Sequence, residues 1–187
     1  MKLPSIFALS LILMASEFLL ALTKRSGTSA RRKDRMTLPL LWTVIGLSIW
    51  TAFYLQAKFP QGAFAHRRSA YLAGLTLFAI GLIVRWAAII HLGRFFTVNV
   101  AIAEDHQLVT TGPYRHVRHP SYTGTFLIFL GYGLCMLNIY SLAAVFLPVV
   151  IAFLWRIHIE EEALRGAFGD KYEDYAARTR RVIPFLY

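Results

Sequence analysis

Three histidines lie within fourteen residues of one another near the middle of the chain: His106, His116 and His119. Imidazole is a common metal ligand, and His116 and His119 have an HxxH spacing, so a metal site is one interpretation. No carboxylate stands at ligand spacing beside that pair, and membrane metal oxygenases use many more histidines than the six in this chain. The alternative is that these histidines, with Arg115 and Arg118, face lipid head groups at a membrane surface. We therefore predict no metal site.

The loop that holds these histidines leads into a sequence that is able to begin a helix. Gly112-Pro113 interrupts regular structure, and the proline in His119-Pro120 favours an extended backbone at His119. Pro120 itself suits the first turn of a helix. The N–H groups of that turn are not used within the helix and are therefore able to receive an anion.

A second candidate lies further along the chain, where Arg156 and Glu160 are four residues apart. That spacing puts both side chains on one face of a helix, near membrane depth, where charged groups are costly unless they are paired or used in function. One interpretation is an interfacial salt bridge in which Arg156 snorkels to the membrane surface. The other is a functional site.

The composition indicates what kind of scaffold must position these residues. Hydrophobic residues make up 57% of the 187 residues and charged residues 16%, with a mean hydropathy of +0.51. A soluble domain is about 45–50% apolar and about 25% charged, so this excess predicts a membrane protein. The net charge of +10 is then an orientation signal more than a sign of nucleic-acid binding. A single cysteine, Cys135, excludes an internal disulfide and a multi-cysteine metal site.

Five segments are long and apolar enough, or nearly so, to cross a membrane as helices, which takes about 20 residues. We predict an all-α membrane protein with five transmembrane helices, over residues 3–22, 38–55, 71–92, 122–137 and 141–157. The last two form a helical hairpin, because only residues 138–140 separate them. Gly124, Gly131 and Gly133 give the fourth span small faces for close packing. We interpret the first span as a retained helix, because it lacks the basic start and the cleavage site of a signal peptide.

The loops between the spans give an orientation and two further elements. Lys and Arg residues are concentrated in residues 24–35 and in the C-terminal tail, which places the N-terminus outside and the first loop, the 93–120 loop and the tail in the cytoplasm. Residues 95–102 and 107–111 are rich in β-branched and aromatic residues and predict a short β-hairpin. The spacing of Phe168, Tyr172 and Tyr175 predicts an amphipathic helix lying on the membrane. Short loops favour a prokaryotic plasma membrane.

Several of these features occur together in a known family. The pattern is Leu108-Val109-x-x-Gly112-x-Tyr114, Arg118-His119-Pro120-Ser121-Tyr122-x-Gly124, Glu160-Glu161, Phe168-Gly169-x-x-Tyr172-x-x-Tyr175 and Ile183-Pro184. With this combination the chain resembles the isoprenylcysteine carboxyl methyltransferase family, within a wider group that includes phospholipid N-methyltransferases. The motifs that match lie within about residues 93–187. The first three spans resemble the family only in being membrane-spanning helices.

The resemblance implies an integral-membrane enzyme that transfers a methyl group from S-adenosylmethionine to a lipophilic acceptor. The acceptor is prenylated or small, and the group that receives the methyl is its carboxylate. Residues 1–92 would supply three spans in contact with membrane lipids, and residues 93–187 the catalytic half. Arg156 falls where members have an arginine implicated in binding the substrate carboxylate, and Asn99 where some members contact the cofactor. The cofactor-binding residues implied are His106, Gln107, Leu108, Val109, Tyr114, His119, Pro120, Ser121, Tyr122 and Glu160.

Three alternatives stay open on the sequence. The acceptor is an amine or a thiol, such as a phospholipid head group. The chain is instead a lipid reductase that uses a nicotinamide cofactor, with Arg115 and Arg118 binding its 2′-phosphate. The third alternative is a membrane scaffold without catalytic activity.

Overall fold

The computed structural model describes residues 3–23, 31–32, 37–96, 101–102 and 107–183, and these residues are almost entirely helical. Short 3₁₀ turns cover Pro60–Gly62, Gly93–Phe95 and Gly112–Arg115. The predicted all-α membrane fold is confirmed. Its α-helices are α1 (Ile6–Thr23), α2 (Thr37–Lys58), α3 (Arg67–Leu92), α4 (Pro120–Cys135), α5 (Ile139–Phe168) and α6 (Asp170–Arg178).

Four helices in the described part of the chain are long and apolar enough to cross a membrane, where the sequence predicts five. They are Ile6–Thr23, Leu38–Lys58, Arg67–Phe95 and Ile139–Phe168. The predicted fourth span corresponds to α4, which has 16 residues and is therefore only about 24 Å long. It ends early because Leu137 takes a positive φ of 58° and Asn138 caps the next helix, accepting hydrogen bonds from the N–H groups of Tyr140 and Ser141. The helical hairpin of α4 and α5 is as predicted.

Helices α3 and α4 pack with their backbones in close approach. A Cβ atom added to Gly124 would lie 2.5 Å from the backbone nitrogen of Arg85, and one added to Gly131 would lie 2.5 Å from the carbonyl oxygen of Gly74. A Cβ atom added to Gly133 would lie 2.6 Å from the Cδ1 atom of Leu142 in α5. The predicted role of these glycines in close packing is confirmed. Such contacts are typical of membrane helices, whose association depends on van der Waals packing and interhelical hydrogen bonds.

The predicted β-hairpin is wrong in its pairing. Ala101–Ile102 pairs antiparallel with Arg31–Arg32 of the first loop, and residues 107–110 are in no strand. The backbone groups of 101–102 are thus used by a distant segment. Residues 107–111 lead instead into the turn Gly112–Arg115, where Gly112 lies against the ring of His91.

The tail after α6 returns to the loop before α4. The N–H groups of Arg118 and His119 donate to the carbonyl oxygens of Arg180 and Arg181, at 2.7 and 2.9 Å. The N–H of Arg180 donates to the carbonyl oxygen of His116 at 3.2 Å. The start of α4 is therefore fixed on one side by α3 and on another by the tail.

Replacing Gly124 by Ala is expected to lower the melting temperature of the detergent-solubilised protein, because the new methyl group meets the backbone of α3. Overpacking of this kind costs about 1–3 kcal/mol. Gly46→Ala in α2 is the matched control, since a Cβ atom there has no neighbour within 4 Å. Equal melting temperatures for the two variants would contradict the close approach of α3 and α4.

Candidate active site

The hydroxyl of Tyr122 joins the two charged groups that the sequence places on one face of α5. Arg156 Nε donates to the Tyr122 hydroxyl oxygen at 3.0 Å, and that hydroxyl donates to Glu160 Oε2 at 2.7 Å. Arg156 is only 4% exposed, so the interpretation of a snorkelling arginine at an interfacial salt bridge is wrong. The buried cation is held in place by a phenol that is itself oriented by a carboxylate.

His119 completes this group from the residue that precedes α4. Its ring stacks on the ring of Tyr122, with centroids 5.5 Å apart and planes at 9°. Its Nδ1 lies 3.9 Å from Glu160 Oε2 and its Nε2 lies 3.4 Å from Glu161 Oε1. Nε2 is buried beside the Glu161 carboxylate. His119 therefore lies between two carboxylates, with one ring nitrogen near each of them.

Glu161 lies beside the candidate site, and sequence reasoning left it without a role. Its carboxylate is fully buried and accepts a hydrogen bond from Arg118 Nε at 2.8 Å and another from Arg181 Nε at 3.2 Å. Arg165 NH2 lies 3.7 Å away. Buried charges persist only when they are paired in this way. The pattern contains both glutamates, but adjacent helix positions point about 100° apart, and only the structure assigns one to the site and the other to this cluster.

Arg118 extends the same cluster to the C-terminal tail. Its NH1 donates to the carbonyl oxygens of Ala176 and Thr179, at 2.9 and 2.6 Å. The loop before α4, helix α5 and the end of α6 are thus held by one guanidinium group. Arg118 is engaged in structural contacts, which argues against its predicted alternative use as a 2′-phosphate ligand.

Helix α6 forms as predicted, and its aromatic face packs against the protein. Tyr172 and Tyr175 are buried, and the hydroxyl of Tyr175 donates to the carbonyl oxygen of Tyr114 at 2.7 Å. Burial raises the pKa of Tyr175, against the opposing charge of Arg118. The phenol therefore stays neutral and able to donate at physiological pH.

The remaining residues implied in cofactor binding divide into two groups. Pro120 and Ser121 are buried in the first turn of α4, and Tyr114 is buried below the loop with its hydroxyl donating to the carbonyl oxygen of Ala88 at 3.3 Å. Gln107 is exposed, and its neighbours Leu108 and Val109 are half-buried. In the described part of the chain, no hydrogen bond or ion pair joins residues 107–109 to the Tyr122 group. His106 and Asn99 lie outside the described residues.

An apolar cavity of about 240 Å³ is lined in part by Tyr122 and Arg156. Its walls come mainly from α1 and α2, with contributions from α4 and α5, and include Leu13, Leu41 and Phe153. Glu17 and Arg85 also line it, and sequence reasoning assigned neither of them to the site. Their signal was their position as charged residues inside predicted spans. The arrangement suits a lipophilic molecule whose polar end lies at Arg156.

Comparisons with known proteins place the chain in a family. Residues 73–166 match the family model described as the isoprenylcysteine carboxyl methyltransferase (ICMT) family. Among curated relatives, protein-S-isoprenylcysteine O-methyltransferase B of Arabidopsis thaliana is 39% identical over 60% of this chain and 58% of its own length. The Tribolium castaneum protein-S-isoprenylcysteine O-methyltransferase is 33% identical over 78% of this chain and 52% of its own. The chain thus spans little more than half the length of these relatives.

A solved structure agrees with this assignment. The structure of a eukaryotic intramembrane Ras methyltransferase, ICMT, matches with a TM-score of 0.74 and 29% identity, over 97% of this chain and 65% of the solved chain. Its likeness extends over α1 and α2, which lie outside the match to the family model. The resemblance deduced from the loop and tail motifs is confirmed. The chain belongs to the isoprenylcysteine carboxyl methyltransferase family.

Proposed function

We propose that this chain transfers a methyl group from S-adenosylmethionine to the carboxylate of a lipophilic acceptor, prenylated or small. The observation that carries the proposal is the buried guanidinium of Arg156 in the wall of an apolar cavity. Family membership and the names of the relatives, which are O-methyltransferases of isoprenylcysteine, support the same reaction.

Arg156 is suited to a carboxylate acceptor. Its Nε donates to the Tyr122 hydroxyl, which orients the guanidinium, and arginine is the side chain that matches a carboxylate best in geometry and charge. A carboxylate is already ionised and needs no general base, so the task of the site is to align the acceptor oxygen and exclude water. A protonated amine would be repelled by the same buried cation, which argues against the amine alternative.

The cofactor side of the site is proposed to lie at His119, Tyr122 and Glu160. The Glu160 carboxylate, 32% exposed, is able to receive a polar ligand, and His119 lies beside it with Nδ1 3.9 Å from Glu160 Oε2. Glu160 would pair an ammonium or ribose hydroxyls, and the stacked rings would lie near a cation. S-adenosylmethionine supplies the electrophilic methyl group. The further residues proposed to bind it are His106, Gln107, Leu108, Val109, Tyr114, Pro120 and Ser121.

The same proposal gives each half of the chain a role and the protein an orientation in the membrane. Residues 93–187 would hold the catalytic groups. The three helices of residues 1–92 would contact membrane lipids and contribute to the wall of the acceptor cavity. The basic residues of 24–35 and of the tail support an N-terminus outside and a catalytic side in the cytoplasm, where S-adenosylmethionine is found. We propose a prokaryotic plasma membrane as the location and no nucleic-acid partner.

Replacing Arg156 by Ala is expected to lower turnover of S-prenylated N-acetylcysteine by more than about 100-fold, because the acceptor carboxylate loses its cation. Binding of S-adenosylhomocysteine, measured by calorimetry in detergent, is expected to change only a few-fold. The control is Arg178→Ala, since this arginine is exposed on α6. Parallel loss of turnover and of cofactor binding would remove the acceptor role of Arg156.

Replacing His119 by Ala is expected to weaken S-adenosylhomocysteine binding by about tenfold, because a buried hydrogen-bonding group is lost. His158→Ala is the matched control, since its side chain is 63% exposed. An unchanged affinity in the His119 variant would refute the cofactor assignment.

A titration of the unmodified protein with NADPH is expected to give no heat of binding. Saturable binding of NADPH would favour the reductase alternative.

A further inference from the structure

We propose that the ion pair between Glu17 and Arg85 is a positioning element of the acceptor site. In this pair Glu17 neutralises the charge of Arg85, the second cation that lines the cavity. An acceptor carboxylate therefore binds to Arg156 alone. This inference rests on the proposed function and names residues that the reaction scheme above does not use.

The pair is buried and fully formed. Arg85 NH2 lies 2.8 Å from Glu17 Oε1 and donates to Oε2 at 2.9 Å, and Arg85 NH1 donates to Thr125 Oγ1 at 2.7 Å. The side chain of Arg85 is 8% exposed and that of Glu17 is 19% exposed. Both residues lie within helices able to span a membrane, where an unpaired charge is costly.

The pair is close to the proposed acceptor position. Glu17 and Arg85 line the same cavity as Tyr122 and Arg156. Thr125, which bonds Arg85, is three residues after Tyr122, which bonds Arg156, so the two contacts are about 4.5 Å apart along the axis of α4. The cavity therefore has two guanidinium groups at neighbouring levels.

The charges of the lining residues give the pair its role. Among the described residues that line the cavity, the charged ones are Glu17, Arg85 and Arg156, and Glu17 pairs with Arg85. Without Glu17, an acceptor carboxylate would have two cations to bind in a medium where charge attraction is strong. Binding at Arg85 would leave the carboxylate about one helical turn from Tyr122.

A purely structural role for the pair makes a different prediction. Glu17 and Arg85 also join α1 to α3, but so does the adjacent hydrogen bond from Trp86 Nε1 to Ser16 Oγ, at 2.9 Å. Ser16→Ala loosens the same two helices at the neighbouring position without changing any charge. It is therefore the matched control for the loss of a helix contact.

The test compares steady-state kinetics of four proteins with S-prenylated N-acetylcysteine: the unmodified chain, Glu17→Gln, Ser16→Ala, and the double variant Glu17→Gln with Arg85→Met. In Glu17→Gln, non-productive binding at Arg85 is expected to lower kcat and the acceptor KM together by about tenfold. The acceptor kcat/KM and the KM for S-adenosylmethionine are expected to stay unchanged. The double variant, which removes the competing cation, is expected to restore both constants.

A single variant, Arg85→Met, provides an independent measurement that does not need Glu17→Gln to fold. It leaves the Glu17 carboxylate without its cation in the cavity, and the expected result is a rise of about tenfold in acceptor KM with kcat retained. An unchanged acceptor KM there would overturn the proposal.

The remaining outcomes separate this inference from the proposed function. If Glu17→Gln leaves both acceptor constants unchanged, or if Ser16→Ala reproduces its effect, the positioning role is wrong while methyl transfer stands. If the unmodified chain methylates no carboxylate, the proposed function itself is wrong.

Discussion

The rest of the candidate site depends on the ion pairs that the buried Glu161 carboxylate makes with Arg118 and Arg181. The carboxylate joins Arg118 of the loop and Arg181 of the tail to helix α5, and His119 lies against it. Because an unpaired carboxylate at this depth would be strongly unfavourable, the loop, α5 and the tail must come together for any of them to be stable. The position of His119, and through its stacking the position of Tyr122, follows from that requirement.

The close approach of α3 and α4 provides the second constraint. Gly81 and Gly124 bring the two backbones into contact, and this places Arg85 beside Thr125 and Tyr122 near Arg156. In a membrane, polar side chains that face the bundle interior are expensive and tend to be functional. Here the contacts of Arg85 with Glu17 and Thr125, and of Arg156 with Tyr122, each join different helices, so packing and site geometry are set together.

The sequence was informative where a signal is local. Hydropathy located the four helices that are long enough to span a membrane, and the residues from Arg118 to Tyr122, with Glu160 and Arg156, pointed to the candidate site. It was uninformative where partners are distant. Glu17 and Arg85 are 68 residues apart, and Arg31–Arg32 pairs with a strand some seventy residues later, for which no local pattern exists. The early end of α4 depends on Asn138, whose side chain caps the start of α5. A hydropathy average does not detect a cap made by a single side chain.

The origin of the cavity walls has a consequence for how acceptor range can diverge. Most of the lining comes from α1 and α2, whereas the match to the family model covers residues 73–166, which begin within α3. Under the proposed function, the groups that act in methyl transfer and most of the acceptor pocket would therefore be encoded in different stretches of the chain. Exchange of α1 and α2 between relatives would then change the length and branching of the hydrocarbon that is accepted, while α4 and α5 kept the proposed positions of the reacting groups.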